Sequence, residues 1–218
     1  MTSMDEFSTY LANAGLSTEQ ITRVAEFRDE VLREDEVQNL TRLLSPKDFF
    51  EGHVVDVLEL EKSNLLKGSA LDIGAGMGVP GFLHQLIFHK STPQNAEYAW
   101  VSSDSERMKA DFVARMIERF GLKGISATSE RAESYLSNHE VDSVVARAVG
   151  PVSRIYNWLR LCSTWNYLLL FKGPKWDEEW AEFQRTGQRN KLEIISKHEY
   201  LAGTEQKQRK IVLLKRKN

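Results

Sequence analysis

The run Asp72-Ile73-Gly74-Ala75-Gly76-Met77-Gly78-Val79-Pro80-Gly81 places an acid two residues before three alternating glycines, with a fourth glycine after a proline. Glycines at that density let a ligand approach the main chain closely. Gly76 to Gly81 also matches the GxGxxG loop that receives a dinucleotide pyrophosphate at a helix N-terminus. A carboxylate at Asp72 suits such a dianion poorly. It suits the ammonium of S-adenosylmethionine, whose sulfonium is positive as well. The loop therefore predicts an S-adenosylmethionine site built on Asp72, Gly74, Gly76 and Gly78. Asp104, ending "YAWVSSD", is the next acid in place and is expected to accept the ribose hydroxyls. Asp104 or Ser105 also suits the N-cap of the following helix, and the two roles of Asp104 are compatible. The polar stretch 89–96, "HKSTPQNA", accounts for the long spacing between loop and acid as an enlarged connection.

These residues need strand ends and helix starts to hold them. Ser17 with Gln20 forms a capping box, and Ile21, Val24, Ala25, Phe27, Val31 and Leu32 follow at helical spacing. Ser45-Pro46 with Asp48 begins a second helix carrying Phe49, Phe50, Val54, Val57 and Leu58. From residue 69 short β-type runs alternate with helical segments near 80–89, 106–120, 130–137 and 151–163: "SALDI", "YAWVSS", "GISAT", "VDSVVA" and "YLLLFK". That alternation predicts an α/β fold with a Rossmann-like, mostly parallel sheet. After a helix near 176–186, "KLEIISKHEYL" and "RKIVLLKR" leave no room for a helix between them and read as an antiparallel C-terminal pair. The organisation expected is an N-terminal helical extension over 1–65 and one globular α/β unit over 66–218.

Bulk properties narrow the partners. The chain has 218 residues, and no run approaches the roughly 18 apolar residues of a membrane span. The N-terminus has neither a basic nor an apolar signal region, so a cytoplasmic location without membrane contact is expected. Cys162 is the single cysteine and the five histidines show no HxxxH pairing, which argues against a disulfide and a metal centre. Net charge is only -2, yet residues 1–36 hold nine acids and three arginines while 205–218 hold six basic groups and one acid. The basic end fits an anionic partner, or guards an exposed edge strand.

The order of the motifs adds a likeness. "NLTRL" (39–43), "GHVVDV" (52–57), "LDIGAGMGVPG" (71–81), "DSERMK" (104–109), "ERAE" (130–133), "ARAVGP" (146–151) and "LFKG" (170–173) occur in one chain in one order. This resembles the RsmG (GidB) family of bacterial ribosomal RNA methyltransferases, from about Asn39 to the C-terminal "RKIVLLKRK". The resemblance implies methyl transfer from S-adenosylmethionine to N-7 of one guanosine in the 530 loop of 16S ribosomal RNA. The partner is then ribosomal RNA or the small ribosomal subunit, and the enzyme is expected to be a monomer. By position it implies that Gly74 and Val79 contact the cofactor, that Ala132 and Glu133 lie along its adenine, and that Arg147 stands where the guanine enters. Met108 stands where the family often has lysine, and Met77 where Pro or Ala is usual.

Guanine N-7 has a lone pair and no proton, so the chemistry needs alignment rather than a base, and alignment can supply about 7–11 kcal/mol of a barrier. Arg147 is the residue expected to act: a guanidinium can fork onto guanine O-6 or a phosphate. Its competing reading is a strand-end arginine paired to Asp142 or Glu133. Lys172 either meets the RNA backbone or caps a helix. Arg209 and Lys210, with Lys207, Lys215, Arg216 and Lys217, form the expected RNA footprint. Trp176 and Trp180 read as packing more than as a base-stacking pair, and His53 with Asp56 as docking the N-terminal helices. Cys162 lacks an activating neighbour. Three rivals share parts of the pattern: a methyltransferase of another RNA, a protein or a small molecule; an NAD-dependent oxidoreductase; and a non-catalytic binder of the cofactor.

Overall fold

Each N-terminal helix begins where a short polar side chain takes up an unpaired amide. The computed structural model describes residues 5–88, 100–203 and 206–217. Asp5 accepts from Ser8 N at the start of α1 (Glu6–Asn13). Ser17 and Gln20 close the expected capping box at the start of α2 (Thr18–Gln38). α2 ends at Asn39, whose φ of 50° is left-handed. Ser45 caps α3 (Pro46–Phe49), which runs through a π-helical turn (Phe50–Val54) into α4 (Val55–Ser63). That π turn has no counterpart in the sequence pattern.

Among the described residues, seven strands form one sheet in the order β3-β2-β1-β4-β5-β7-β6. β1 (Ala70–Ile73), β2 (Trp100–Ser103), β3 (Ile125–Thr128), β4 (Ser143–Arg147) and β5 (Tyr167–Lys172) run parallel. β6 (Leu192–Ala202) and β7 (Lys207–Arg216) are antiparallel to each other, and β7 is antiparallel to β5. α5 (Gly81–Phe88), α6 (Arg107–Arg119), α7 (Ala132–Leu136), α8 (Val152–Leu159) and α9 (Trp176–Arg185) fill the crossovers and the step to β6. The chain order reverses between β1 and β4, which opens a crevice at their carboxyl ends. The stretch 89–96, read above as an enlarged loop, lies outside the described residues.

Side chains alternate across the sheet and feed two cores. Leu169 and Phe171 of β5 join Ala70, Val145 and Leu213 on the side covered by the N-terminal helices, α5 and α6. Leu168 and Leu170 join Leu71, Val144 and Leu214 on the side of α7, α8 and α9. Phe7, Phe27 and Phe49 belong to the same core as Phe82 and Phe112, with Phe27 and Phe82 ring centroids 4.9 Å apart. The N-terminal helices are thus part of the wall behind the crevice. Trp176 is buried and stacks on Trp180, which stacks on Phe183, so this aromatic pair packs against the sheet.

Candidate active site

β1 delivers the glycine loop into the crevice. Ala75 N donates to Ser103 O at 3.1 Å, and Gly76 N donates to Asp104 Oδ2 at 2.9 Å, so the loop is tied to the end of β2. Gly76 has φ +57°, and nothing lies within 4 Å of where its Cβ would stand. Asp104 Oδ1 accepts from Glu106 N at 2.9 Å. The N-cap of α6 is Glu106, beyond the expected Asp104 or Ser105, while Asp104 divides its two oxygens between the Gly76 and Glu106 amides. Its half-buried carboxylate retains unused lone pairs for hydroxyl donors.

The cleft so formed is lined by Ile73, Gly74, Ser103 and Ser105 from β1 and β2, and by Ala132 and Glu133 at the start of α7. Val149 and Trp158 close the far wall. Open main chain at Gly76, the half-buried carboxylate of Asp104 and a second acid at Glu133 fit a cationic adenosine compound. Of the residues singled out in the sequence, Gly74, Ala132 and Glu133 line this cleft, and Gly76 is tied to Asp104 beside it. Asp72, Gly78 and Val79 are buried and are not among the residues that line this cleft. Asp72 is fully buried, and its Oδ2 accepts from Gly81 N at 2.8 Å, which holds the first turn of α5. Its Oδ1 has no hydrogen-bond partner among the described residues. Burial pushes its carboxyl up to about 7, against the lowering effects of the Gly81 amide and Arg147. Gly78 is buried with φ +97°, and a Cβ there would stand 2.6 Å from Phe82 Cβ. Val79 is packed into the core.

Arg147, at the end of β4, lies beside this cleft across the Ala148-Val149 turn. Its Nη1 donates to Gly52 O at 2.6 Å and to Asp56 Oδ2 at 2.7 Å, and its Nη2 donates to His53 Nδ1 at 2.8 Å. All three acceptors sit on the π turn or the first turn of α4. The wider turn sends the Val55 amide back to Phe50 O, and the Gly52 and Glu51 carbonyls accept from Arg147 and Arg209. The partners expected for Arg147, Asp142 and Glu133, are not the ones it finds. Asp142 instead accepts from Ser69 N and Oγ.

An arginine only donates, so His53 Nδ1 must be a lone pair and Nε2 must carry the proton, facing Thr41 Oγ1 at 2.9 Å. Burial, and then the charges of Arg147 and Arg209, push the His53 imidazolium down to about 3, so the ring is neutral. Asp56 Oδ1 accepts from Arg209 Nη1 and from Tyr200 Oη, each at 2.7 Å. Burial first, then Asp56, pushes the Tyr200 phenol up. For Arg209 burial works against the charge, but Asp56 outweighs it and the guanidinium is pushed up. His53 and Asp56, read as docking residues, dock onto the arginine of the site itself.

Arg147, Arg209 and Lys172 line one recess with Leu43, Phe171 and Gly173. Lys172 Nζ donates to Gly150 O at 2.8 Å and to Glu179 Oε1 at 2.7 Å, so it braces the β4–α8 turn. Lys210, expected as an RNA contact, is turned inward. It is 3% exposed, and its ammonium is taken up by Asp177 Oδ2 at 3.1 Å and Glu199 Oε1 at 3.3 Å. Trp158, Thr41, Tyr200 and Glu179 were not anticipated as part of the site. Trp158 had a signal, an aromatic at an outward helical position in "YNWLRL"; the others become visible only when distant segments meet.

The model of the GidB family, described as rRNA small subunit methyltransferase G, matches residues 20–212. Ribosomal RNA small subunit methyltransferase G of Thermotoga petrophila is 31% identical over 220 residues, covering 97% of this chain and 91% of the relative. That of Mesoplasma florum is 28% identical and covers 80% of this chain and 73% of its own. Two solved structures share the fold. One is M. capricolum TrmK in complex with S-adenosyl-homocysteine, with TM-score 0.55 and 12% identity over 75% of this chain and 68% of that one. The other is a point mutant of MtNAS in complex with S-adenosylmethionine, with TM-score 0.55 and 14% identity over 97% of this chain and 77% of that one. The oxidoreductase alternative falls with this result. The chain belongs to the GidB family of small-subunit ribosomal RNA methyltransferases, S-adenosylmethionine-dependent enzymes on a Rossmann-like sheet.

Proposed function

We propose that the acceptor is N-7 of a guanosine in the 530 loop of 16S ribosomal RNA, presented as RNA or within the small subunit to a monomeric, cytoplasmic enzyme. Among the described residues no helix is long and apolar enough to cross a membrane. S-adenosylmethionine supplies an electrophilic methyl group when bound. Gly74, Ala132 and Glu133 of the cleft, with the Gly76–Asp104 pair beside it, would hold it. N-7 carries no proton, so the chain has to orient the guanine rather than deprotonate it. The observation that carries the reading is the state of Arg147. Of its five N–H donors, three are taken by Gly52, His53 and Asp56. One on Nη2 and the Nε–H remain for guanine O-6 or a neighbouring phosphate. Its three acceptors fix the plane in which those donors are offered. His53 is neutral with both nitrogens occupied, so it serves as a clamp and not as a base.

The test is methylation of 16S RNA and of small subunits, followed by reductive cleavage selective for 7-methylguanosine. Scission at a single guanosine of the 530 loop is expected. Methyl label that resists this cleavage, or falls elsewhere in the RNA, would sink the assignment.

A further inference from the structure

The basic C-terminal strand is largely engaged by the protein itself. Lys210 is buried between Asp177 and Glu199, and Arg209 is held by Asp56. Arg216 donates to Cys162 O and lies over the Trp165 ring, and Lys217 meets Glu193 at 3.6 Å. Uncommitted cations stand elsewhere. Arg42, Arg154 and Lys175 are exposed and, among the described residues, make no ion pair or side-chain hydrogen bond.

Three separate segments bring them to the rim of the Arg147 recess. Arg42 precedes Leu43, and Lys175 follows Gly173 by two residues; both Leu43 and Gly173 line the recess. Arg154, in the first turn of α8, lays its side chain over Gly150, with Cδ 3.3 Å from where a Cβ would stand. The Gly150 carbonyl is the one that anchors Lys172. Cations so placed keep their hydration until a ligand arrives, and a polyanion that displaces counterions is the partner such a rim attracts.

We infer that the ribosomal RNA docks across this rim, with Arg42, Arg154 and Lys175 taking phosphates around the recess that receives the target base. The inference rests on the RNA reading above and replaces the C-terminal strand as the footprint. Lys191 and Lys215 are exposed cations at the opposite end of the sheet, since Lys215 pairs with Tyr167 at the start of β5. They are the matched controls.

The experiment is fluorescence anisotropy of a labelled 530 stem-loop RNA with the full chain, across a salt series. Arg42→Glu, Arg154→Glu and Lys175→Glu should each weaken binding about tenfold near 0.1 M salt. Together they should flatten the log–log salt slope by roughly 2, at about 0.7 per single-strand phosphate. Lys191→Glu and Lys215→Glu should stay within twofold of wild type, and melting temperatures and S-adenosylmethionine affinity should not move in any variant. Rim variants that bind within twofold of wild type, or a Lys215→Glu loss as large as theirs, would overturn the inference. Rim-dependent binding without 7-methylguanosine would leave the docking surface standing and remove the proposed acceptor.

Discussion

Arg147 Nη1 lies 2.7 Å from Asp56 Oδ2, so the end of β4 is locked to the helix that carries the "GHVVDV" segment, 91 residues earlier in the chain. Asp56 serves Arg209 and Tyr200 through its other oxygen, and its side chain is 5% exposed. Two guanidiniums converge on one carboxylate, which leaves a positive surplus in the recess. Arg147→Ala should keep the fold, because Asp56 retains Arg209 and Tyr200. Single-turnover methylation should fall by roughly a hundredfold or more, in line with losing a group that acts in the transition state, while cofactor affinity stays near wild type. Arg147→Lys should not rescue it, since one ammonium cannot reach Gly52, His53 and Asp56 and still offer donors outward. A rapid-quench assay showing Lys at wild-type rate would remove the forked geometry from the mechanism.

The glycine loop separates a ligand role from a structural one. At Gly76 a methyl group meets only open space, so Gly76→Ala carries just the left-handed backbone cost of about 1–2 kcal/mol. The chain should fold, and its cofactor affinity should drop because the methyl occupies the ligand's approach. At Gly78 the same change also drives a Cβ to 2.6 Å from Phe82 Cβ. Gly78→Ala should therefore lower the melting temperature well beyond the Gly76 variant. Calorimetry and thermal melts on the pair check this; a Gly76→Ala enzyme with unaltered cofactor binding contradicts the assignment of the cleft.

Much of this layout can be read from local pattern. The caps at Ser17 and Ser45, the βα alternation and the acid-and-glycine spacing depend on neighbours within a few residues, where propensity and period act directly. Burial is different. Nothing near Asp72 announces that α5 and the Trp100 ring close over it, nor does the basic run around Lys210 announce that Asp177 and Glu199 will enclose its ammonium. The π turn is equally silent, since it makes sense only once β4 and β7 bring two arginines to its carbonyls.

Asp72 makes the interior sensitive to pH. Its carboxyl sits at about 7 in the folded chain against an ordinary 3.8, so between those values the native state binds the extra proton. Stability from this group is therefore lost as pH rises from about 4 to 7. Asp72→Asn keeps an acceptor for the Gly81 amide and carries no charge. It should melt at the same temperature as wild type near pH 4 and several degrees higher at pH 8, at roughly 2–4 °C per kcal/mol for a chain of this size. Melting curves of the two proteins that run parallel across this range would show that Asp72 is not the titrating group.

His53 works in the opposite sense. Its imidazolium is held down to about 3 against an ordinary 6.5, so the unfolded chain binds the extra proton between those values, and stability falls as pH drops through that window. The ring should stay in the neutral Nε2–H form from pH 8 to pH 5, because Arg147 supplies the proton at Nδ1 and Thr41 receives the one at Nε2. Nitrogen chemical shifts of selectively labelled histidine report this directly, and a His53 resonance titrating near 6.5 would break the clamp argument. His53→Gln can still offer an oxygen to Arg147, whereas His53→Phe fills the space and leaves Nη2 unpaired. With the clamp acting on orientation, Phe should lower kcat at unchanged cofactor KM, and Gln should recover part of it. A merely structural ring would instead show both variants losing stability alike with kcat intact in the folded fraction.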